Sequence, residues 1–367
     1  MNTLQRLHAE QDQSPWIDFI DREIIASGRL AERVGEGIRG LTSNPTIFAK
    51  AVASGQYDEL IRQEIADGHD TRQIFEAIEI ADLGDAADVL RPVYDESDGT
   101  DGFVSIEVEP DLAADSDRTL ERARELWHRL ARPNVFVKIP ATIEGLPAIE
   151  AAVAEGININ ITLMFSVEVY RQVARAYIEG LRKRLRAGQE IGRVASVASF
   201  FVSRVDTKVD KALEEIGSEA ALAARGAAAV ANAKQAYEAF GHIFDGPEFE
   251  DLRAAGARVQ RCLWASTSTK NPAYSDVKYA EELIGPRTVD TLPTETILAF
   301  LDHGVVARTL DTGLEEAHEA IRRVESLGIS METVTAELID EGVAAFTKSF
   351  EDLMGAIDAQ RKALAPA

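Results

Sequence analysis

Eight short runs rich in β-branched and aromatic residues recur along this 367-residue chain, mostly separated by stretches of helical periodicity. They are Pro15–Ile20, Ile38–Pro45, Phe103–Val108, Val135–Pro140, Ile157–Leu163, Arg193–Val202, Val259–Ala265 and Thr288–Pro293. Such runs read as strands covered on both faces, which is the condition of strands in a parallel sheet. Helices are expected over 54–66, 71–91, 117–131, 145–154 and 166–186, and the alanine-rich segment 206–240 is also helical. Sustained β-then-α alternation at this length, with no Pro/Gly/Ser linker, predicts an α/β protein of the (β/α)8 TIM-barrel type. It would be a single domain over 1–367, with a leading helix or tail in 1–14 and a C-terminal helical extension over about 313–365. An open doubly wound sheet is the alternative, but the Gly-rich phosphate turn it would carry after its first strand is absent.

The fourth run, Val135-Phe136-Val137-Lys138-Ile139-Pro140, contains one lysine among apolar residues. Burying an ammonium is costly unless it is paired or gives up its proton. A lysine that has lost its proton is a nucleophile able to form a Schiff base with a carbonyl. The alternative is a side chain that snorkels from the strand end into solvent.

In a barrel, side chains at the carboxyl ends of the strands converge on one pocket. Those ends carry Asp18, Asn44, Glu107, Lys138, Thr162 and Ser199. Period-2 rows point the same way: Ser105 and Glu107 share a face, as do Asn158, Asn160 and Thr162, and Val197, Ser199 and Phe201. The opposite rows, Val104/Ile106/Val108 and Ile157/Ile159/Ile161/Leu163, are expected beneath the helices. Each polar residue also has a structural role open to it. Asp18 can cap a helix, Asn44-Pro45 can start a turn, and Glu107 can be solvated. Thr162 and Ser199 can begin the helices that follow them. Further along, Arg204 lies just past one strand, and Ser266 and Lys270 follow the seventh. Loops after the late strands of such barrels often hold phosphate, and these groups would supply charge and donors.

A formal charge of −23 argues against nucleic acid and anionic membrane surfaces as partners, while leaving room for a local basic pocket. The single cysteine, Cys262, excludes an internal disulfide, reads as a small core residue and fits a cytoplasmic setting. No apolar run approaches a membrane span, and the N-terminus lacks a basic-then-apolar leader. The six histidines are scattered, so a catalytic metal is not expected. The acidic stretch Asp95–Gly102 lacks calcium-loop spacing and reads as a solvated turn.

Five stretches carry a family resemblance: Leu41–Phe48, Val104–Val108, Val137–Thr142, Asn160–Ser166 and Ser199–Arg204. In this order and spacing the chain resembles the transaldolases, in their longer bacterial form. The resemblance implies a class I aldolase barrel acting on sugar phosphates with no cofactor, and Lys138 as its Schiff-base lysine. It implies Asp18 as general acid/base and Glu107 and Thr162 around a catalytic water. Asn44 and Ser199 would hold the dihydroxyacetone hydroxyls, and Arg204 the substrate phosphate. Phe201 stands where the related fructose-6-phosphate aldolases carry tyrosine, which favours transfer over cleavage. The segment after the seventh strand departs from the shorter transaldolases, with Ser266 and Lys270 where those have an arginine. A fructose-6-phosphate aldolase-like lyase and a non-catalytic barrel scaffold are the alternative functions. Monomer and homodimer both stay open.

Overall fold

In the computed structural model, which describes residues 1–43 and 45–365, eight parallel strands close a barrel in chain order. They are β1 (Gln13–Asp18), β2 (Gly40–Thr42), β3 (Phe103–Glu107), β4 (Val135–Pro140), β5 (Ile159–Met164), β6 (Ser196–Phe201), β7 (Gln260–Ala265) and β8 (Thr288–Leu292). Closure is made where β8 pairs with β1, in the register Pro15↔Asp290 and Ile17↔Leu292. Every residue of β4 is buried, Lys138 included, as expected of a strand covered on both faces. Among the described residues no helix is long and apolar enough to cross a membrane.

Two apolar clusters hold the fold. The larger lies between the strands and the surrounding helices. The smaller, including Trp16, Phe103, Phe136, Val197, Leu263 and Val289, fills the barrel interior at the amino ends of the strands. Phe103 stacks on Phe136 with ring centroids 4.2 Å apart, and Trp16 lies 6.1 Å from Phe136. Trp16 fits because β2 offers a glycine there: a Cβ on Gly40 would stand 2.3 Å from the indole. This plug fills the interior beneath a cavity of about 310 Å³ at the amino ends of the strands, walled in part by Phe103, Phe136 and Arg261.

The structure departs from the sequence reading at several places, and the segment 206–240, read as helical throughout, is split among the helices Ser203–Ile216, Glu219–Leu222 and Ala228–Phe244. The Asp95–Gly102 turn is solvated only in part, because Asp101 is 2% exposed. It accepts hydrogen bonds from Trp16 Nε1 (3.0 Å), Arg39 Nε (2.7 Å) and Ser14 Oγ, donors beneath the barrel floor that need a buried acceptor. A helix missing from the sequence reading, Pro45–Ala53, follows β2 directly, with proline at its first turn, where the missing N–H costs nothing. The helix expected to stop at 91 runs through Pro92 to Glu96. Finally, Leu163 leaves its outward row. It has φ +57°, and the β5–β6 register shifts between Ile161 and Met164, which turns Leu163 into the barrel mouth.

Candidate active site

A cavity of about 340 Å³ opens at the carboxyl ends of the strands. Asp18, Glu107, Lys138, Thr162, Ser199, Phe201, Arg204, Ser266 and Lys270 all line it. Asn44 lies outside the described residues.

Lys138 sits near its centre, 8% exposed. Its Nζ donates to Glu107 Oε2 at 3.2 Å and to the Ser43 carbonyl at 3.3 Å. The first contact follows from strand register, since Glu107 of β3 is the direct partner of Lys138 on β4. Burial pushes the Glu107 carboxyl up from its ordinary value, and the neighbouring lysine draws it back.

Asp18, at the end of β1, accepts a hydrogen bond from Thr42 Oγ1 at 2.8 Å. The same hydroxyl lies 2.7 Å from Thr291 Oγ1 of β8, so three neighbouring strands hold this carboxyl in place. Burial raises the Asp18 pKa, opposed first by the Thr42 hydrogen bond and then by the Lys138 charge. Asp18 caps no helix; Asp21 takes that role for Arg22–Ala26.

Below the lysine a polar relay crosses the interior. Ser199 Oγ donates to Asn160 Oδ1 at 2.7 Å, and Asn160 Nδ2 donates to Ser105 Oγ at 3.1 Å. It fixes the Ser199 rotamer beneath the cavity, since each hydroxyl and amide in it has a definite partner. Thr162 is buried on the cavity wall, and its carbonyl accepts from the Ala141 N–H at 2.8 Å.

The cationic side of the cavity is built from the ends of β6 and β7. The Arg204 guanidinium lies 5.4 Å from the centre of the Phe201 ring, which packs on Phe165. Among the described residues neither Arg204 nor Lys270 has a carboxylate within ion-pair distance, which leaves both charges available to an anion. Ser266, with φ +57°, pairs its hydroxyl with Ser203 at 3.0 Å, and the Ser203 N–H donates to the Ser266 carbonyl at 3.0 Å. These two contacts tie the rims of β6 and β7 together.

The remaining wall comes from the C-terminal helix Met331–Leu364, through Gly342, Ala345, Phe346 and Ser349. Gly342 permits close approach, since a Cβ there would stand 3.1 Å from Leu163 Cδ2. Lys208, on the helix Ser203–Ile216, anchors the wall through Glu337 (2.7 Å) and Glu341 (2.6 Å).

Sequence reasoning raised the C-terminal helical region as a cover for the barrel mouth without naming its residues, and it did not assign Thr42, Ser43, Thr291, Ser268 or Glu295 to the site, all of which line the cavity. Thr291 carried a usable signal, being a hydroxyl near the end of the eighth apolar run. The helix residues carried none, because their 3–4 spacing is equally that of a core-facing stripe.

A family model described as transaldolase/fructose-6-phosphate aldolase matches residues 15–357. A transaldolase of Thermobifida fusca is 48% identical over 348 residues, covering 94% of this chain and 95% of that protein. Transaldolase 2 of Nostoc sp. is 45% identical over 370 residues, covering 97% of each. A transaldolase of Mycolicibacterium smegmatis is 46% identical over 356 residues, covering 95% of this chain and 96% of that protein.

Proposed function

This chain belongs to the transaldolase/fructose-6-phosphate aldolase family, and from that premise we propose that its barrel mouth transfers a dihydroxyacetone unit between sugar phosphates through a Schiff base on Lys138. The observation that carries the assignment of roles is the placement of Lys138. It is a buried amine 3.2 Å from a carboxyl, in a cavity with unpaired cations on one side.

The ketone carbon of a ketose phosphate, such as fructose 6-phosphate or sedoheptulose 7-phosphate, is attacked by Lys138 Nζ. Glu107, its carboxyl pushed up by burial, takes the proton the lysine sheds as it becomes a free amine. After attack, one of the two remaining N–H protons moves to the former carbonyl oxygen to give the carbinolamine hydroxyl. The carbinolamine loses water to give the iminium. Asp18 then removes the C4 hydroxyl proton, the C3–C4 bond breaks, and its electron pair is received by the iminium as an enamine. The aldose phosphate departs. An acceptor aldehyde, glyceraldehyde 3-phosphate or erythrose 4-phosphate, restores the bond, and hydrolysis frees the lysine. Thr162 and Glu107 hold the water of these steps, and Ser199 and Asn44 hold the hydroxyls of the bound unit. The lysine supplies the electron sink, so this reading calls for no cofactor. Phe346 and Leu163 at the mouth limit the entry of water to the enamine.

Arg204, with Lys270 and Ser266, binds the substrate phosphate. Arg204→Ala is expected to raise the KM for fructose 6-phosphate about 10- to 100-fold, the effect of losing one charge-assisted hydrogen bond in a partly buried site. kcat should change much less. Steady-state kinetics with the phosphorylated ketose and with fructose itself check this, since the variant should bind fructose as the parent does.

The reading is tested by borohydride reduction in the presence of fructose 6-phosphate, followed by peptide mass spectrometry. A three-carbon adduct on Lys138 is expected. No adduct, where a known Schiff-base aldolase is trapped under the same conditions, would sink the mechanism. Product analysis without acceptor separates transfer from cleavage: a lyase accumulates free dihydroxyacetone over many turnovers, whereas a transaldolase stops near one.

A further inference from the structure

Behind Glu107, away from the substrate cavity, lies a second carboxyl with an oxygen that has no hydrogen-bond partner among the described residues. Glu79, in the helix Thr71–Glu96, is 4% exposed, and its Oε2 is buried without a donor or acceptor in reach. Buried polar atoms are almost always paired, so an orphan of this kind calls for a reason. A hole of about 10 Å³ opens beside it, about the least that holds a single water. Glu79, Glu107, Glu109 and the backbone turn at Ser43 share its wall. The rest of that wall is largely apolar, including Phe75 and Phe346.

We propose that Glu79 is a positioning residue that passes a proton to and from Glu107 through this hole. The proposal rests on the Schiff-base reading given above. The line runs Lys138, Glu107, hole, Glu79, with the first contact at 3.2 Å.

The chemistry balances within that line. When the carbinolamine dehydrates, the nitrogen lone pair forms the C=N bond and the C–O bond breaks. Glu107 gives its proton to the departing hydroxyl, which leaves as water. Glu79 then gives its own proton, through the water in the hole, to the Glu107 carboxylate. Hydrolysis of the final Schiff base runs the transfer backwards, and nothing is consumed.

The surroundings favour a resting Glu79 that holds a proton. Burial acts first, and Glu109, Glu107 and Glu76 add negative charge. The cation that draws it down is Arg122, and Arg122 is already committed to Glu76 (2.7 Å), Glu109 (2.9 Å) and Glu125 (2.8 Å). The C-terminal helix offers only Phe346 and Phe350 on this side, and the segment after β2 offers Pro45 and Phe48. All these push Glu79 well above the usual carboxylate range, the direction that favours a stored proton there.

The test compares Glu79→Gln and Glu79→Met with the parent chain. Neither replacement can carry the proton. Both are expected to lower kcat about tenfold, with the KM for fructose 6-phosphate changed less than about twofold. The parent's kcat should fall on the alkaline side as Glu79 gives up its proton, and that limb should be missing in both variants. Glu79→Met also removes an orphan polar group from apolar surroundings, so its melting midpoint should hold or rise while kcat drops. A purely structural role predicts the opposite coupling of stability and rate. kcat within about twofold of the parent in both variants, with an unmoved pH profile, overturns the relay. So does a loss of rate that tracks a loss of stability. A parent chain that traps no borohydride adduct overturns the Schiff-base reading and the relay with it. A parent that traps the adduct, beside variants of unchanged kinetics, overturns the relay alone.

Discussion

Replacing Lys138 by methionine is expected to lower kcat/KM for transfer by about 10⁵-fold or more, because it removes the amine proposed as the electron sink for the ketone. Methionine keeps much of the side chain's volume and its apolar stem, so the change is chemical more than steric. It also leaves Glu107 without the donor at 3.2 Å. That loss need not unfold the barrel. Burial already pushes the Glu107 pKa upward, and removing the nearby cation takes away a charge that held it down, so the substitution favours the neutral acid over an unpaired buried charge. A thermal melt should therefore show a folded protein, while borohydride trapping shows no adduct. Lys270 is a second lysine on the cavity wall and supplies an internal control. Activity within about 100-fold of the parent, with an adduct on Lys270, would move the nucleophile there and overturn the assignment of Lys138.

Asp18→Asn is expected to lower kcat about 10²- to 10⁴-fold, the range for losing a positioned general base. Asparagine can still accept the Thr42 hydrogen bond, so the geometry at the end of β1 should survive. In the proposed mechanism, Schiff-base formation precedes the step assigned to Asp18. Borohydride should accordingly trap the intact hexose phosphate on Lys138 in the variant, where the parent yields a three-carbon adduct. The pH dependence follows from the direction of the Asp18 shift. Its pKa is raised by burial, so the acid limb of kcat lies above the ordinary carboxylate range near pH 4. As pH falls through that raised value Asp18 gains a proton and can no longer accept one from the C4 hydroxyl. The limb should be missing in the variant. A three-carbon adduct forming at the parental rate in Asp18→Asn would assign the base elsewhere, with Glu295, also on the cavity wall, the next to examine.

Much of this site was legible because it lies on strand ends. A buried parallel strand is apolar throughout, so a single Lys138, Glu107 or Thr162 near its end stands out against neighbours that cannot tolerate charge. Strand periodicity then places Ser105 with Glu107 and Asn160 with Thr162 without further information. The periodicity failed at Leu163, where a positive φ and a register shift rotate one residue out of its row. It also gave no account of Asp101, whose composition is that of its exposed neighbours Asp95 and Asp98. Only the arrival of Trp16, Arg39 and Ser14 from distant segments makes it a buried acceptor.

By itself the sequence determined the strand count, the (β/α)8 alternation and the lysine on the fourth strand, because each follows from local periodicity and the cost of burying charge. Tertiary structure alone decided which groups meet. Strand register sets Glu107 against Lys138, barrel closure brings Thr291 to the Thr42 hydroxyl that holds Asp18, and Lys208 fastens a helix from the far end of the chain over the cavity. These contacts join residues up to hundreds of positions apart, and no local pattern encodes a distance across the barrel.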